Sequence, residues 1–197
     1  RKAAAIRDMV QETQLGVEHL IYPVFLKDGN AIKEDIPSLP NIHRWSVDLL
    51  IPEIESCLEL GIRIFDIFPA VDESLKDKTA TLSYNPDNFY LKAIRQIKTE
   101  FPDVVLMSDV ALDPYSSDGH DGLVEDGKIV NDKTLPILAM MSVAQAEAGI
   151  DIIGPSDMMD GRVGVIREAL DESGYTETSI MSYTAKYASA FYGPFRD

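Results

Sequence analysis

Cysteine is almost absent from this 197-residue chain, where Cys57 stands alone. A lone cysteine closes no internal disulfide and leaves no zinc-finger spacing. Its place in a helical pattern reads as a small buried hydrophobe. Basic charge is also scarce: 18 Lys and Arg face 33 Asp and Glu, a formal net charge of −15. No local basic patch offsets that acidity, which argues against nucleic acid or an anionic membrane as partner. No apolar run approaches the ~18–20 residues that a membrane-crossing helix needs. The opening Arg1–Arg7 is too short and interrupted for a secretory signal. No Gly-x-Gly-x-x-Gly follows the first strand-like run, which weakens a dinucleotide-binding sheet. The expected setting is a reducing cytoplasm.

What the chain does have is alternation. Five short apolar runs, 21–26, 62–68, 104–107, 150–153 and 178–181, are rich in β-branched or aromatic residues and bounded by Gly, Pro or Asp. They read as strands. Helical periodicity fills the gaps. Asn85-Pro86-Asp87 predicts an N-cap followed by a proline at the first helical position. A longer helix is expected from Asn131 or Asp132 to Gly149, and another opens at Asp160, with Val163, Ile166 and Leu170 on one face. Val47 to Leu60 is also helical in period, although Pro52 is expected to delay or kink its start.

Strand and helix in strict alternation imply a parallel sheet, either doubly wound or a (β/α)8 barrel. A barrel takes about 250 residues, so 197 residues with five strands read as about five of its eight units. The expectation is one domain, with residues 1–15 an N-terminal arm and 16–197 a partial barrel.

In both architectures chemistry gathers at the carboxyl ends of the strands. Asp109 follows the third run, Ser156 and Asp157 the fourth, and Lys186 the fifth. Around Lys186 the sequence offers Ala, Tyr, Ser and Phe but no acid. Desolvation of that kind disfavours an ammonium and frees an amine to form a Schiff base with a carbonyl. On spacing alone, a lysine packing its stem on tyrosines with its head in water is the modestly favoured reading. Asp109 fits a proton shuttle; taken singly, Asp109 and Asp157 fit capping of the next turn.

The segment between the third strand and the following helix, 111–131, is long enough to be a lid or binding loop. Asp126-Gly127 between apolar pairs predicts a hairpin inside it. Its acids invite a calcium reading, but EF-hand spacing is missing. His120 reads as solvated, and His19 and His43 carry no motif.

Three segments carry a resemblance. Residues 109–122 (DVALDPYSSDGHDG) resemble the metal-loop region of the 5-aminolevulinate dehydratase (porphobilinogen synthase) family. Residues 148–162 (AGIDIIGPSDMMDGR) resemble a second signature of that family, and 181–196 (MSYTAKYASAFYGPFR) its Schiff-base lysine segment. The resemblance implies a (β/α)8 barrel that condenses two 5-aminolevulinate molecules into porphobilinogen with loss of two waters, in tetrapyrrole biosynthesis. It implies that Lys186 is one of two Schiff-base lysines and that Asp109 assists proton transfer. Arg196 would bind a substrate carboxylate, and Phe195 would line the same pocket. It also implies a homo-octamer whose N-terminal arm wraps a neighbouring subunit.

Zinc-using members carry three cysteines in the loop, where this chain has Ala111, Asp113 and Asp121. Without thiolates a tetrahedral zinc site is not expected, and the chain resembles members activated by magnesium or monovalent cations. Asp113 and Asp121 are then expected, with Ser156, to serve the substrate and to hold no metal. The family's second Schiff-base lysine and its magnesium-site glutamate fall beyond Asp197, so these 197 residues alone are expected to be inactive. An aldolase-like Schiff-base enzyme is the alternative, although no glycine-rich phosphate loop is present; an inactive, assembly-competent chain is the non-enzyme alternative.

Overall fold

Side chains alternating between two environments turn the five apolar runs into one parallel sheet. The structure, a computed structural model, describes residues 2–187 and 189. Its strands are β1 (Ile21–Lys27), β2 (Lys33–Asp35), β3 (His43–Trp45), β4 (Ile64–Ala70), β5 (Val105–Val110), β6 (Val124–Glu125), β7 (Lys128–Ile129), β8 (Ile152–Pro155) and β9 (Ser179–Ile180). Its α-helices are α1 (Ala4–Met9), α2 (Val47–Glu59), α3 (Phe89–Glu100), α4 (Asn131–Ala148) and α5 (Arg162–Glu172). Strands β1, β4, β5, β8 and β9 are parallel neighbours in that order. The five expected strands are present with helices α2, α3, α4 and α5 between them, an α/β architecture with the succession of a (β/α)8 barrel.

One face of the sheet meets the helices. Leu26, Phe65, Ile67, Leu106 and Ile153 lie against Leu50, Ile54, Leu91, Ile94, Leu138, Ile166 and Leu170, all fully buried in one core cluster. Each such side chain contributes about 1.5–3 kcal/mol through burial. Strand register assigns the opposite, inward face. Pro23 pairs with Asp66, Asp66 with Met107, Met107 with Ile152, and Asp109 with Gly154. These residues therefore share one side of the pleat. Gly154 is required there, because a Cβ would come within 2.7 Å of the Ser108 carbonyl oxygen.

Several expectations are corrected in detail. Helix α3 is capped by Asn88, whose Oδ1 accepts from the Leu91 N–H at 2.7 Å, while Asn85 shapes the preceding turn by accepting from Asp87 at 2.9 Å. Helix α5 begins at Arg162, because the Asp160 N–H donates to Asn131 Oδ1 at 2.7 Å and Gly161 turns with φ +77°. Pro52 does not delay α2, which starts at Val47 and buries Leu50, Ile54 and Cys57; packing of that apolar stripe outweighs the missing N–H. Helix α4 does span Asn131–Ala148, with Gly149 at φ +112°.

Two elements were not expected. Strand β3 joins the outer edge of β1 in parallel, and β2 pairs antiparallel with β3. Glu34 ties the edge together, contacting Lys27 and accepting from Arg44 at 3.1 Å. Charged pairing of this kind covers backbone groups that an open edge would expose. No helix among the described residues is long and apolar enough to cross a membrane.

Candidate active site

Period-two alternation along β5 sends Ser108 towards the helices and Asp109 inward. Ser108 Oγ donates to Gln145 Oε1 of α4 at 2.7 Å, and Gln145 Nε2 donates to the Asp109 carbonyl at 3.2 Å. All three residues are buried. The network fixes the backbone that presents the Asp109 carboxyl. Burial pushes that carboxyl up to about 8. A hydrogen bond from Ser156 opposes the rise, the charges of Asp113 and Asp66 add to it, and Lys186 again opposes it.

Lys186 lies in the segment after β9, which returns across the carboxyl ends of the strands. The Met181 N–H donates to Ile153 O at 2.8 Å and the Tyr183 N–H to Pro155 O at 3.0 Å. Arg162 clamps the same segment, donating to Ser182 Oγ at 3.2 Å and to the Tyr183 carbonyl at 3.0 Å. Lys186 Nζ then donates to Asp121 Oδ2 and to the Ser156 carbonyl, both at 2.9 Å. The expectation of a lysine without acidic neighbours is therefore corrected. Sequence neighbours lack carboxylates, but folding supplies one from a distant loop.

That loop is held by its own bonds. The Leu112 N–H donates to the Asp121 carbonyl at 3.1 Å, so both ends of the 112–121 segment meet. Tyr115 and Ser116 turn back on Leu112, at 2.9 and 2.7 Å. The Asp77 N–H donates to the Tyr115 carbonyl and the Ser117 N–H to the Asp77 carbonyl, at 3.2 and 3.1 Å, while the Asp77 carboxylate accepts from the Thr79 and Thr81 amides. The loop after β4 and the loop after β5 are thus stitched together. The expected hairpin is present: β6 and β7 pair antiparallel around Asp126 and Gly127, with φ +49° and +74°. Asp113 keeps contact with solvent at this rim, and its carboxyl is pushed up to about 6, by burial first and then by Asp121, against the pull of Lys186.

Asp157 takes the capping role: its Oδ1 accepts from the Met159 N–H at 2.8 Å, and its Oδ2 lies 3.4 Å from Arg162 Nε. That second contact is an ion pair without hydrogen-bond alignment, since neither atom has a hydrogen-bond partner. Asp109 instead faces the site, where Ser156 is its hydrogen-bond partner. His120 is exposed. Phe195 and Arg196 lie outside the described residues.

The structure therefore brings together Lys186, Asp109, Asp113, Asp121 and Ser156. It adds Asp66, which the sequence reading passed over inside the apolar run of β4. A carboxylate at an alternate position of a strand otherwise built of Ile and Phe was the available signal. Tyr183 and Arg162 were likewise missed, because their partners are set by the return of the chain after β9. Among the described residues, no group of three or more His, Cys, Asp or Glu is arranged to hold a metal ion.

Comparison with known proteins gives this site its relatives. The family described as delta-aminolevulinic acid dehydratase matches residues 1–197. Delta-aminolevulinic acid dehydratase of Chlamydia pneumoniae is 52% identical over 197 residues, covering 100% of this chain and 59% of that protein. The chloroplastic enzyme of Selaginella martensii is 52% identical over 202 residues, with 48% of its own length covered. A crystal structure of the Toxoplasma gondii enzyme, in complex with the reaction product porphobilinogen, superposes with a TM-score of 0.95 at 50% identity, covering 99% of this chain and 56% of that one. The chain thus spans about half to three-fifths of the length of the relatives it matches. The chain belongs to the delta-aminolevulinic acid dehydratase family.

Proposed function

We propose that the protein condenses two molecules of 5-aminolevulinate into porphobilinogen, releasing two waters, with Lys186 as a Schiff-base lysine. One observation carries the reading. An amine and a buried, proton-holding carboxyl converge at the carboxyl edge of a sheet whose whole course matches an enzyme solved with porphobilinogen.

The chemistry follows from the geometry. Lys186 reacts as the free amine, its proton leaving to solvent at the rim, and Asp121 Oδ2, 2.9 Å away, holds its Nζ in place. The amine then attacks the ketone carbonyl of the substrate; a C–N bond forms, the carbonyl π pair moves to oxygen, and a nitrogen proton follows it to give a carbinolamine. Asp109, with its carboxyl pushed up to about 8, still holds a proton at neutral pH. It delivers that proton to the carbinolamine hydroxyl, the C–O bond breaks, water leaves, and the nitrogen lone pair completes the iminium. The Ser156 hydroxyl orients Asp109 for this step, while Asp113 and Asp121 line the substrate's place beside Lys186. Arg196 and Phe195 are proposed to receive a substrate carboxylate and line its pocket.

A metal is implied by the family, and thiolate zinc does not fit this loop. Ala111 offers no donor, Cys57 is buried in α2, and Asp121 already serves Lys186. Magnesium is the proposed activating cation, and no step above passes through it. A homo-octamer in the cytoplasm, with residues 1–15 as an arm against a neighbouring subunit, completes the reading. Incubating the full-length protein with 5-aminolevulinate, assaying porphobilinogen and mapping the borohydride-reduced adduct tests it. Product with the adduct on Lys186 is expected; no product, or an adduct confined to other lysines, overturns it.

A further inference from the structure

The inward face of the sheet carries a second carboxyl that the proposed chemistry leaves idle. Asp66 on β4 is 7% exposed, and its Oδ1 has no hydrogen-bond partner among the described residues. Its register partner on β5 is Met107, so Asp109, two residues further along, projects from the same face. Among the described residues, the groups around Asp66 leave its Oδ1 without a donor. From α3, the Tyr90 hydroxyl is already committed, donating to the Ile67 carbonyl at 2.8 Å. From β1, its register partner is Pro23. From the segment after β9, the Tyr183 phenol feels the charges of both Asp66 and Asp109. Lys186 acts on Asp109 but is engaged by Asp121 and Ser156.

We infer that Asp66 is a further positioning residue of this site, acting through Asp109 so that the two carboxyls together retain a proton for the expulsion of water. This rests on the function proposed above. The physical cause is repulsion between like charges on a buried face. Once one carboxyl is ionised, ionising the other is costly. Repulsion is mutual, so the two titrate as a pair. Asp66 is pushed up to about 7 by burial, and Asp109 responds to its charge. A carboxyl in this position costs stability as a strand residue among Ile and Phe. Among the described residues its Oδ1 makes no structural bond, and its charge acts on Asp109.

The test compares wild type, Asp66→Asn and Asp66→Leu in the full-length protein. Asp66→Asn keeps the shape, and Asp66→Leu restores the apolar pattern of β4 should a buried amide fold poorly. The infrared carboxyl band of Asp109, identified by its loss in Asp109→Asn, is titrated in each. Removing the Asp66 charge should move that titration to lower pH by about one unit, and the matching limb of the kcat/KM profile should move the same way. An Asp109 titration unchanged in both variants overturns the inference. A wild-type protein that makes no porphobilinogen overturns the functional reading instead, and the infrared shift still decides the coupling.

Discussion

Lys186 and Asp121 stand 65 residues apart in the chain and 2.9 Å apart in space. The contact joins the loop after β5 to the segment after β9. On the function proposed above, it holds the Lys186 amine in place for attack on the substrate. Asp121→Asn should therefore lower kcat by roughly 10²-fold, within the range of a misplaced reacting group, with a smaller effect on KM. Steady-state kinetics checks this; an unchanged kcat assigns the contact a structural role only.

Lys186→Met should abolish both turnover and the borohydride-trapped adduct while leaving the melting temperature within a few degrees of wild type. An unbranched apolar chain fills a similar volume. Retained adduct in this variant would assign the Schiff base to another lysine.

Stability should fall as pH rises. Burial pushes Asp66 up to about 7 and Asp109 up to about 8, from ordinary values of 3.8. The folded state therefore binds these protons more tightly than the unfolded state. Their contribution is complete below about pH 4 and is lost as pH climbs through 7 to 8. Chemical denaturation should give a smaller unfolding free energy at pH 9 than at pH 5. Asp66→Asn should shrink that difference by on the order of 2–4 kcal/mol. A difference that Asp66→Asn leaves intact would locate the titration elsewhere.

The five strands were legible because each is a short β-branched or aromatic run, and the helices because their periodicity and glycine stops are strong. Boundaries shifted where a side chain found a tertiary partner, as when Asn131 took the Asp160 amide and moved the start of α5 to Arg162. Strand β2 escaped notice because Lys33-Glu34-Asp35 has no apolar signature; it is a strand only because β3 lies beside it. The strand ends pointed to Lys186, Asp109 and Ser156. The acid beside Lys186 and the inward carboxyl of Asp66 were invisible because contact across 65 residues, and the face a carboxylate takes, are set by register.

Arg162 should matter more than its place outside the reacting groups suggests. Arg162→Met releases Ser182 and Tyr183 and leaves the buried Asp157 carboxylate without its counter-charge. A loss of about 3–5 kcal/mol of stability is expected for breaking such a pair, together with a raised KM. Thermal unfolding and kinetics on the same preparation check both.

Metal dependence separates cleanly from the loop. After chelator treatment, magnesium should restore any lost activity or assembly, and zinc should not be required, because the 111–121 loop supplies no thiolate. Zinc bound stoichiometrically by this loop, with activity following it, would reverse the assignment.

The stitching at Asp77 has a mechanical consequence. Because the Tyr115 carbonyl and the Ser117 amide are both bonded to the Asp77 backbone, the rim cannot swing open about hinges in the 111–123 segment alone. Either those two bonds break first or residues 77–81 travel with it, carried by the Thr79 and Thr81 amides on the Asp77 carboxylate. The rim beside Lys186 is therefore two loops tied at one residue, and Asp77 holds both in place.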